Sequence, residues 1–158
     1  MTYTELTELL QEYLQNTSTE FTSAIPDIVR LAEDRIYQAV EFPSLKKNGS
    51  LSIVSGRATV ALPSDLKSIS SIAVVSSGTY SYLLEKDISF IREAFPTPTT
   101  TGAPRFYARY DEDTILLGPT PGSGYTGSIH YIYEPESIVD AETSWLGDNC
   151  ESVLFYAC

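Results

Sequence analysis

The 158-residue chain has few of the side chains that most enzymes and metal proteins use. It holds one histidine, His130, so no second imidazole can share a metal site, and its two cysteines lack zinc-ligand spacing. No G-x-S-x-G nucleophile, P-loop or dinucleotide-binding glycine pattern occurs. We therefore predict that the protein is not an enzyme and has neither a metal nor another cofactor.

Long apolar runs are absent as well. No run approaches the ~20 residues that span a bilayer, and "MTYTELTELL" has neither the basic start nor the apolar centre of a signal peptide. Cys150 and Cys158 fall eight residues apart in one predicted helix, which places their α-carbons about 12 Å apart, too far for a disulfide. We expect no membrane contact and two small buried thiols in a reducing compartment.

Positive charge is scarce, because ten lysines and arginines face 21 acids and leave a net charge of −11. Residues 1–45 carry eight acids and two bases, 46–109 four acids and eight bases, and 110–158 nine acids and no base. This balance argues against a nucleic-acid clamp, which needs cations for phosphate contacts. The uneven charge has two interpretations: solvated faces, or a head-to-tail contact in which the basic middle meets an acidic flank of the next copy.

Helical patterns occur at both ends of the chain. Thr2-x-x-Glu5 has the form of a capping box and precedes a helix expected at 3–15. "NTST" (16–19) offers a new N-cap, and the strongest apolar stripe predicts a helix at 26–41, with Pro26 in its first turn. A third helix is predicted from Asp148 onward. Because "ESVLFYAC" ends without a cap, we expect this helix to continue beyond Cys158.

Between these ends the pattern becomes strand-like. A Ser-Gly link inside 50–61 and a Ser-Ser-Gly turn inside 68–84 each predict a hairpin. A short helix is expected at 85–95, followed by three further strands at 105–110, 114–118 and 126–133. "DED" (111–113) is interpreted as a solvated turn rather than a cation site, and "GPTPGSG" (118–124) as a hairpin loop.

These elements predict an α+β fold in one domain: a helical layer from both chain ends with an inserted antiparallel β subdomain. The parts are 1–45, 46–135 and 136–158. We predict that 26–41 and 148–158 pack together, because neither can bury its apolar stripe alone.

Tyrosine is abundant, with eleven residues against six phenylalanines. Several tyrosines fall in the last predicted hairpins, where they are either ordinary buried strand residues or a contact surface for protein or sugar. The second interpretation leaves a receptor- or carbohydrate-binding tail component as an alternative function. A hydrolase with an unrecognised site would require a pocket with converging carboxylates.

Five segments in this order resemble the head-to-tail adaptor proteins of short-tailed and related tailed bacteriophages. The segments are "IPDIVRLAEDRIYQAV" (25–40), "LPSDLKSI" (62–69), "FIREAFP" (90–96), "GAPRFYARYDEDTILLGPTP" (102–121) and "HYIYEPESIV…SWLGDNCESVLFYAC" (130–158). The resemblance implies a structural virion protein of the tail or neck that assembles in the host cytoplasm. In such proteins twelve copies form a ring below the portal and extend the DNA channel.

The partners implied are the portal protein, tail nozzle or tail-fibre proteins, and further copies of the chain, while DNA passes through without specific binding. The family has no short binding motif that can be carried over. The interface residues that we predict come from charge and tyrosine placement instead: Arg92, Arg105, Arg109, Asp111, Glu112, Asp113, Tyr125, Tyr131, Tyr133, Glu134 and Glu136.

Overall fold

The computed structural model describes residues 1–40 and 42–158. Its helices are α1 (Tyr3–Leu14), α2 (Thr19–Ala39), α3 (Ile88–Ala94), α4 (Ile138–Ala141), α5 (Trp145–Asn149) and α6 (Glu151–Ala157), with a 3₁₀ turn at Pro43–Leu45. Its strands are β1 (Lys46–Ile53), β2 (Thr59–Ala61), β3 (Leu66–Ser76), β4 (Thr79–Tyr82), β5 (Leu84–Glu85), β6 (Thr101–Gly102), β7 (Phe106–Arg109), β8 (Thr114–Gly118), β9 (Thr120–Pro121) and β10 (Tyr125–Tyr133). Helices and mainly antiparallel sheets confirm the α+β class.

The chain divides into two compact units. The helical unit comprises Met1–Leu45 and Pro135–Cys158, and the strand unit comprises Lys46–Glu134. In the helical unit α2 contacts both α4 and α6. That the helices of both chain ends form one layer stays a prediction.

The start of α1 follows the predicted capping box. The amide of Glu5 donates to Thr2 Oγ1 at 3.2 Å, and the amide of Thr2 donates to Glu5 Oε2 at 2.7 Å. Both bonds satisfy N-terminal donors that the helix itself cannot pair, and they hold the pKa of the Glu5 carboxyl below its usual value.

The second helix begins earlier than predicted. Ser18 caps α2 by accepting a bond from the amide of Phe21 at 3.3 Å, so Pro26 lies inside the helix and not in its first turn. The Asn16–Ser18 cap and the apolar stripe together outweigh the hydrogen bond that proline cannot donate. The helix ends at Ala39, and the predicted last residue of this segment, Glu41, lies outside the described residues.

The C-terminal segment is also divided differently from the prediction. Asp148 lies within α5, and Cys150 separates α5 from α6, so the two cysteines do not share one helix. Both thiols are free and half-buried rather than buried.

The strand unit contains two four-stranded sheets and one short parallel pair. Sheet A has the order β1-β10-β3-β4, sheet B has the order β2-β8-β7-β5, and β6 pairs with β9. The apolar core contains Ile72, Ile115, Leu117 and Ile129, which are almost fully buried. Both sheets therefore contribute side chains to one core.

Two of the predicted hairpins are wrong. The strands on either side of Ser55-Gly56 belong to different sheets, because β1 pairs with β10 and β2 pairs with β8. Likewise "GPTPGSG" is not a hairpin loop: it leads from β8 in sheet B to β10 in sheet A. The hairpin of β3 and β4 is confirmed, with Ser77 and Gly78 in left-handed conformations at φ 49° and 79°.

Candidate interaction surfaces

The three predicted interface arginines all lie in the strand unit and are exposed. Arg92 is in the last turn of α3, Arg105 precedes β7, and Arg109 ends β7. The guanidinium of Arg109 donates to the carbonyl oxygen of Glu112 at 3.1 Å, so this arginine closes its own β7–β8 turn. In the described part of the chain, Arg92 and Arg105 form no ion pair.

The acids at 111–113 form the exposed tip between β7 and β8, as predicted. Within this tip the amide of Asp113 donates to Asp111 Oδ1 at 3.0 Å, which is the ordinary closure of an Asx turn. Glu134 and Glu136 are exposed as well. The geometry thus brings Arg109 beside 111–113, and the contact that it makes there is with a backbone oxygen.

The tyrosines of β10 face inward instead of forming an outer surface. Tyr131 belongs to the core with 3% exposure, and Tyr125 and Tyr133 pack half-buried against the same core. Tyr107 is also in this core, and burial next to the Glu85 carboxylate raises its pKa to about 12. Tyr131 is therefore too buried to present a contact surface, and a contact of Tyr125 and Tyr133 with sugar or with a neighbouring copy stays a prediction.

A partly exposed polar cluster joins β1, β10 and the turn before β3. Lys47 forms an ion pair with Asp65 and lies over the ring of Tyr133, 4.5 Å from its centroid. The Tyr131 hydroxyl donates to the other oxygen of Asp65 at 3.0 Å. The lysine and this hydroxyl lower the pKa of Asp65, whereas burial and the carboxylate raise the pKa of Tyr131. The sequence predicted none of this, because the three segments meet only through strand pairing.

His130 is a strand residue, as its sequence context predicts. Its Nδ1 lies 2.7 Å from Asn48 Oδ1 across the β1–β10 pair. Among residues 1–40 and 42–158, no three His, Cys, Asp or Glu side chains come together in a way that could hold a metal ion. Over the same residues, no helix is long and apolar enough to cross a bilayer.

An apolar groove lies beside α3. It has a volume of about 470 Å³, and its walls include Ile91, Phe95 and Leu117, with Arg92 and Tyr110 also lining it. No carboxylate lines the groove, so it lacks the converging carboxylates that a hydrolase site would require.

A buried carboxylate lies in the helical unit. Glu33, on α2, is 2% exposed and accepts hydrogen bonds from the Ser137 hydroxyl at 2.5 Å and the Ile138 amide at 3.1 Å. Close by in sequence, Arg30 pairs with Asp140 at 2.8 Å. These bonds link the two ends of the chain, more than a hundred residues apart, and assign Glu33 an architectural role.

Comparison with known proteins gives a match that spans the chain. The family described as SU10 adaptor protein matches residues 1–158. No curated protein matches the chain. The match supports the resemblance to phage adaptor proteins in general and does not identify a particular adaptor family of short-tailed phages.

Proposed function

Because the chain belongs to the SU10 adaptor protein family, we propose that it forms an adaptor ring between the portal and the tail of a tailed bacteriophage. The observation that carries the proposal is that the family match covers all 158 residues, so both units belong to the adaptor. The role is structural, in the virion neck, and involves no catalysis.

We further propose that the ring contains twelve copies, belongs to a short-tailed phage and has the DNA channel running through it. The net charge of −11 supports the passage of DNA through the channel without binding, since an acidic protein repels phosphates. The partners are the portal on one side, a nozzle or tail-fibre protein on the other, and neighbouring copies, with assembly in the host cytoplasm.

Contacts between neighbouring copies in a ring are heterologous, so two different patches of the chain must fit each other. The charge distribution supplies such a pair of patches. Arg92 and Arg105 are exposed in the basic third, and the acids after Arg109 are exposed in a third that has no base. We propose that at least one of Arg92, Arg105 and Arg109 meets an acid of the adjacent copy.

The test is to mix the purified chain with the portal protein of the same phage and image the assembly by electron microscopy. We expect a ring of added density on one face of the portal, with the symmetry of twelve copies. A portal that stays bare at high chain concentration would refute the adaptor role. The same mixture with the portal omitted is the control.

The receptor- or carbohydrate-binding alternative loses the support of Tyr107 and Tyr131, which are buried. Two other tyrosines, Tyr80 and Tyr82, are exposed on β4. Binding of the chain to immobilised saccharides in the absence of any binding to portal would favour this alternative.

A further inference from the structure

Strand β4 leaves one side of its backbone open. It is the last strand of sheet A and pairs only with β3. The amide of Leu83 donates to the carbonyl of Ile72 at 2.9 Å, so these two residues form a hydrogen-bonded pair. From there the pairing of β4 with β3 continues without a shift to Thr79 and Ser76. Hydrogen-bonded pairs alternate along an antiparallel ladder, so the backbone groups of Tyr80 and Tyr82 point away from β3. Within residues 1–40 and 42–158, nothing bonds to them.

Apart from its length of only four residues, this edge has none of the usual protection. Soluble proteins protect exposed edges with lysine, proline, a bulge or a covering loop. Strand β4 reads Thr-Tyr-Ser-Tyr, all four residues are exposed, and its pairing with β3 has no bulge. Tyr80 and Tyr82 are 57% and 69% exposed and lie on the same face of the strand. An uncharged, regular edge with two exposed rings is suited to pairing with another strand.

The opposite edge of the same sheet is open as well. Strand β1 is eight residues long, pairs only with β10, and contains no proline, and its two lysines, Lys46 and Lys47, are both at its start. The register joins Ser50, Ser128, Ala73 and Tyr82 in one row across the sheet, so these residues share a face. Because side chains alternate along a strand, Lys46 lies on that face too, on the same side of the sheet as Tyr80 and Tyr82.

We propose that β4 of one copy pairs with β1 of the next copy, so that sheet A continues from subunit to subunit. The partner is a second copy because one sheet offers both halves of a head-to-tail contact, and such a contact closes into a ring under rotation. Lys46 of the neighbour then faces the exposed tyrosine rings, as Lys47 already faces the ring of Tyr133. This inference rests on the proposed ring.

Disulfide trapping tests the contact directly. In a variant with Cys150→Ser and Cys158→Ser, one sample carries Tyr82→Cys and another carries Lys46→Cys, Asn48→Cys or Ser50→Cys, each on the face that carries Tyr80 and Tyr82. Paired strands place α-carbons about 4.5–5.5 Å apart, within disulfide range. On the portal, mild oxidation of a mixed ring should give a covalent dimer with at least one of the three positions, and neither sample should cross-link alone. Thr4→Cys, exposed on α1, replaces the β1 cysteine as the control.

The outcomes separate this contact from the adaptor role. Cross-linking of Tyr82→Cys with itself would mean a symmetric β4–β4 contact and would overturn the proposal. A complete ring on portal with no cross-link at any position would overturn it while leaving the adaptor role intact. Failure of the wild-type chain to assemble on portal would refute both.

Charged edge variants provide a second measurement. Tyr80→Lys with Tyr82→Lys should raise the chain concentration needed for ring formation about tenfold or more, because buried aromatic anchors dominate interfaces. The same change at Tyr156, 78% exposed on α6, is the control and should have no such effect. Normal assembly of the double variant would overturn the proposal, and loss of saccharide binding with normal assembly would assign these tyrosines to sugar.

Discussion

At the residue scale, the buried Glu33 carboxylate is held in place by hydrogen bonds. Its carboxylate accepts both the Ser137 hydroxyl and the Ile138 amide, and Ser137 is the N-cap of α4. A buried carboxylate is stable only when its oxygens have donors, and here α4 provides them. Glu33 thereby fixes the C-terminal segment to α2.

We predict that Glu33→Gln destabilises the protein by about 1–2 kcal/mol, because the bonds to Ser137 and Ile138 lose the strength that the negative charge gives them. The measurement is urea unfolding followed by the fluorescence of Trp145, the only tryptophan, which lies in the same unit. Asp34→Asn is the matched control, since Asp34 is the exposed neighbour on the same helix and its change should have little effect. An unchanged urea midpoint for Glu33→Gln would contradict the architectural role.

The Asp65 cluster gives a prediction about pH. Lys47 and the Tyr131 hydroxyl lower the pKa of Asp65 below its ordinary value of 3.8, so folding favours the charged carboxylate. The stability gained in this way is present above the unfolded pKa and is lost as pH falls through the folded value. We expect wild type to exceed Asp65→Asn in unfolding free energy at pH 7, with the difference shrinking below about pH 4.

Chemical denaturation at a series of pH values measures this difference. Asp87→Asn provides a comparison, because its pKa is also lowered but by the Ser89 hydroxyl and amide at the start of α3 and not by a lysine. Lys47→Met should remove much of the pH dependence at Asp65 and leave that at Asp87 unchanged. A difference between wild type and Asp65→Asn that stays constant down to pH 3 would contradict the assignment.

At the element scale, Gly127 permits β10 to pass between β1 and β3. A Cβ built at this position would lie 2.8 Å from Leu51 Cβ and 3.2 Å from Ile53 Cδ1, inside the contact distance of real side chains. We predict that Gly127→Ala destabilises the protein by about 1–3 kcal/mol, as overpacking does. Gly124→Ala is the matched control, because its nearest neighbour would be 3.8 Å away. The melting temperatures of both variants are measured by thermal unfolding. Equal melting temperatures would contradict the prediction and show that sheet A makes room for the added methyl group.

Elements defined by local chemistry could be predicted from the sequence, and elements defined by distant pairing could not. The Thr2–Glu5 capping box and the Ser77-Gly78 turn are formed by neighbouring residues, and both are confirmed. The β8–β10 connection has the sequence of a hairpin, yet its strands join different sheets. Turn residues indicate that the chain changes direction, but which strand pairs with which depends on the apolar core that forms on folding.

The same limit applies to the candidate surfaces. Charged side chains are expected to be exposed, and Arg92, Arg105 and the acids at 111–113 are. The inward direction of Tyr131, in contrast, depends on the pairing of β10 with two other strands. Alternation placed Tyr125, Tyr131 and Tyr133 on one face and could not say which face. The open edge of β4 could not be predicted for the same reason, since local periodicity does not determine the order of strands in a sheet.

At the scale of the whole molecule, net charge opposes self-association. We predict that the isolated chain is monomeric or weakly associated and forms a ring only on the portal, because copies with a charge of −11 repel until a template aligns complementary patches. Light scattering of the free chain over a range of salt concentrations measures this. A stable dodecamer in dilute, low-salt solution without portal would contradict it, and the chain mixed with portal is the positive control.

Charge at the contact between copies can be tested one arginine at a time. Arg109 is engaged with the Glu112 carbonyl of its own turn, so Arg92 and Arg105 are the stronger candidates for an acid of the next copy. We predict that Arg92→Glu or Arg105→Glu weakens ring formation on portal several-fold, since attraction becomes repulsion. Circular dichroism should be unchanged, because both side chains are exposed. Reversal of the partner acid, sought among Asp111, Glu112, Asp113, Glu134 and Glu136, should restore assembly.

Salt distinguishes this effect from a general change in net charge. Exposed charges are screened beyond about 8 Å at 0.15 M ionic strength, whereas a close pair in a contact keeps part of its attraction. The comparison is therefore made at moderate salt, with Arg57→Glu as the matched control, because Arg57 is exposed in the same strand unit and is not among the predicted contacts. If Arg92, Arg105 and Arg109 can each be reversed under these conditions without any change in assembly, the uneven charge serves only solvation, and the contact must be made by uncharged surfaces such as the edge of β4.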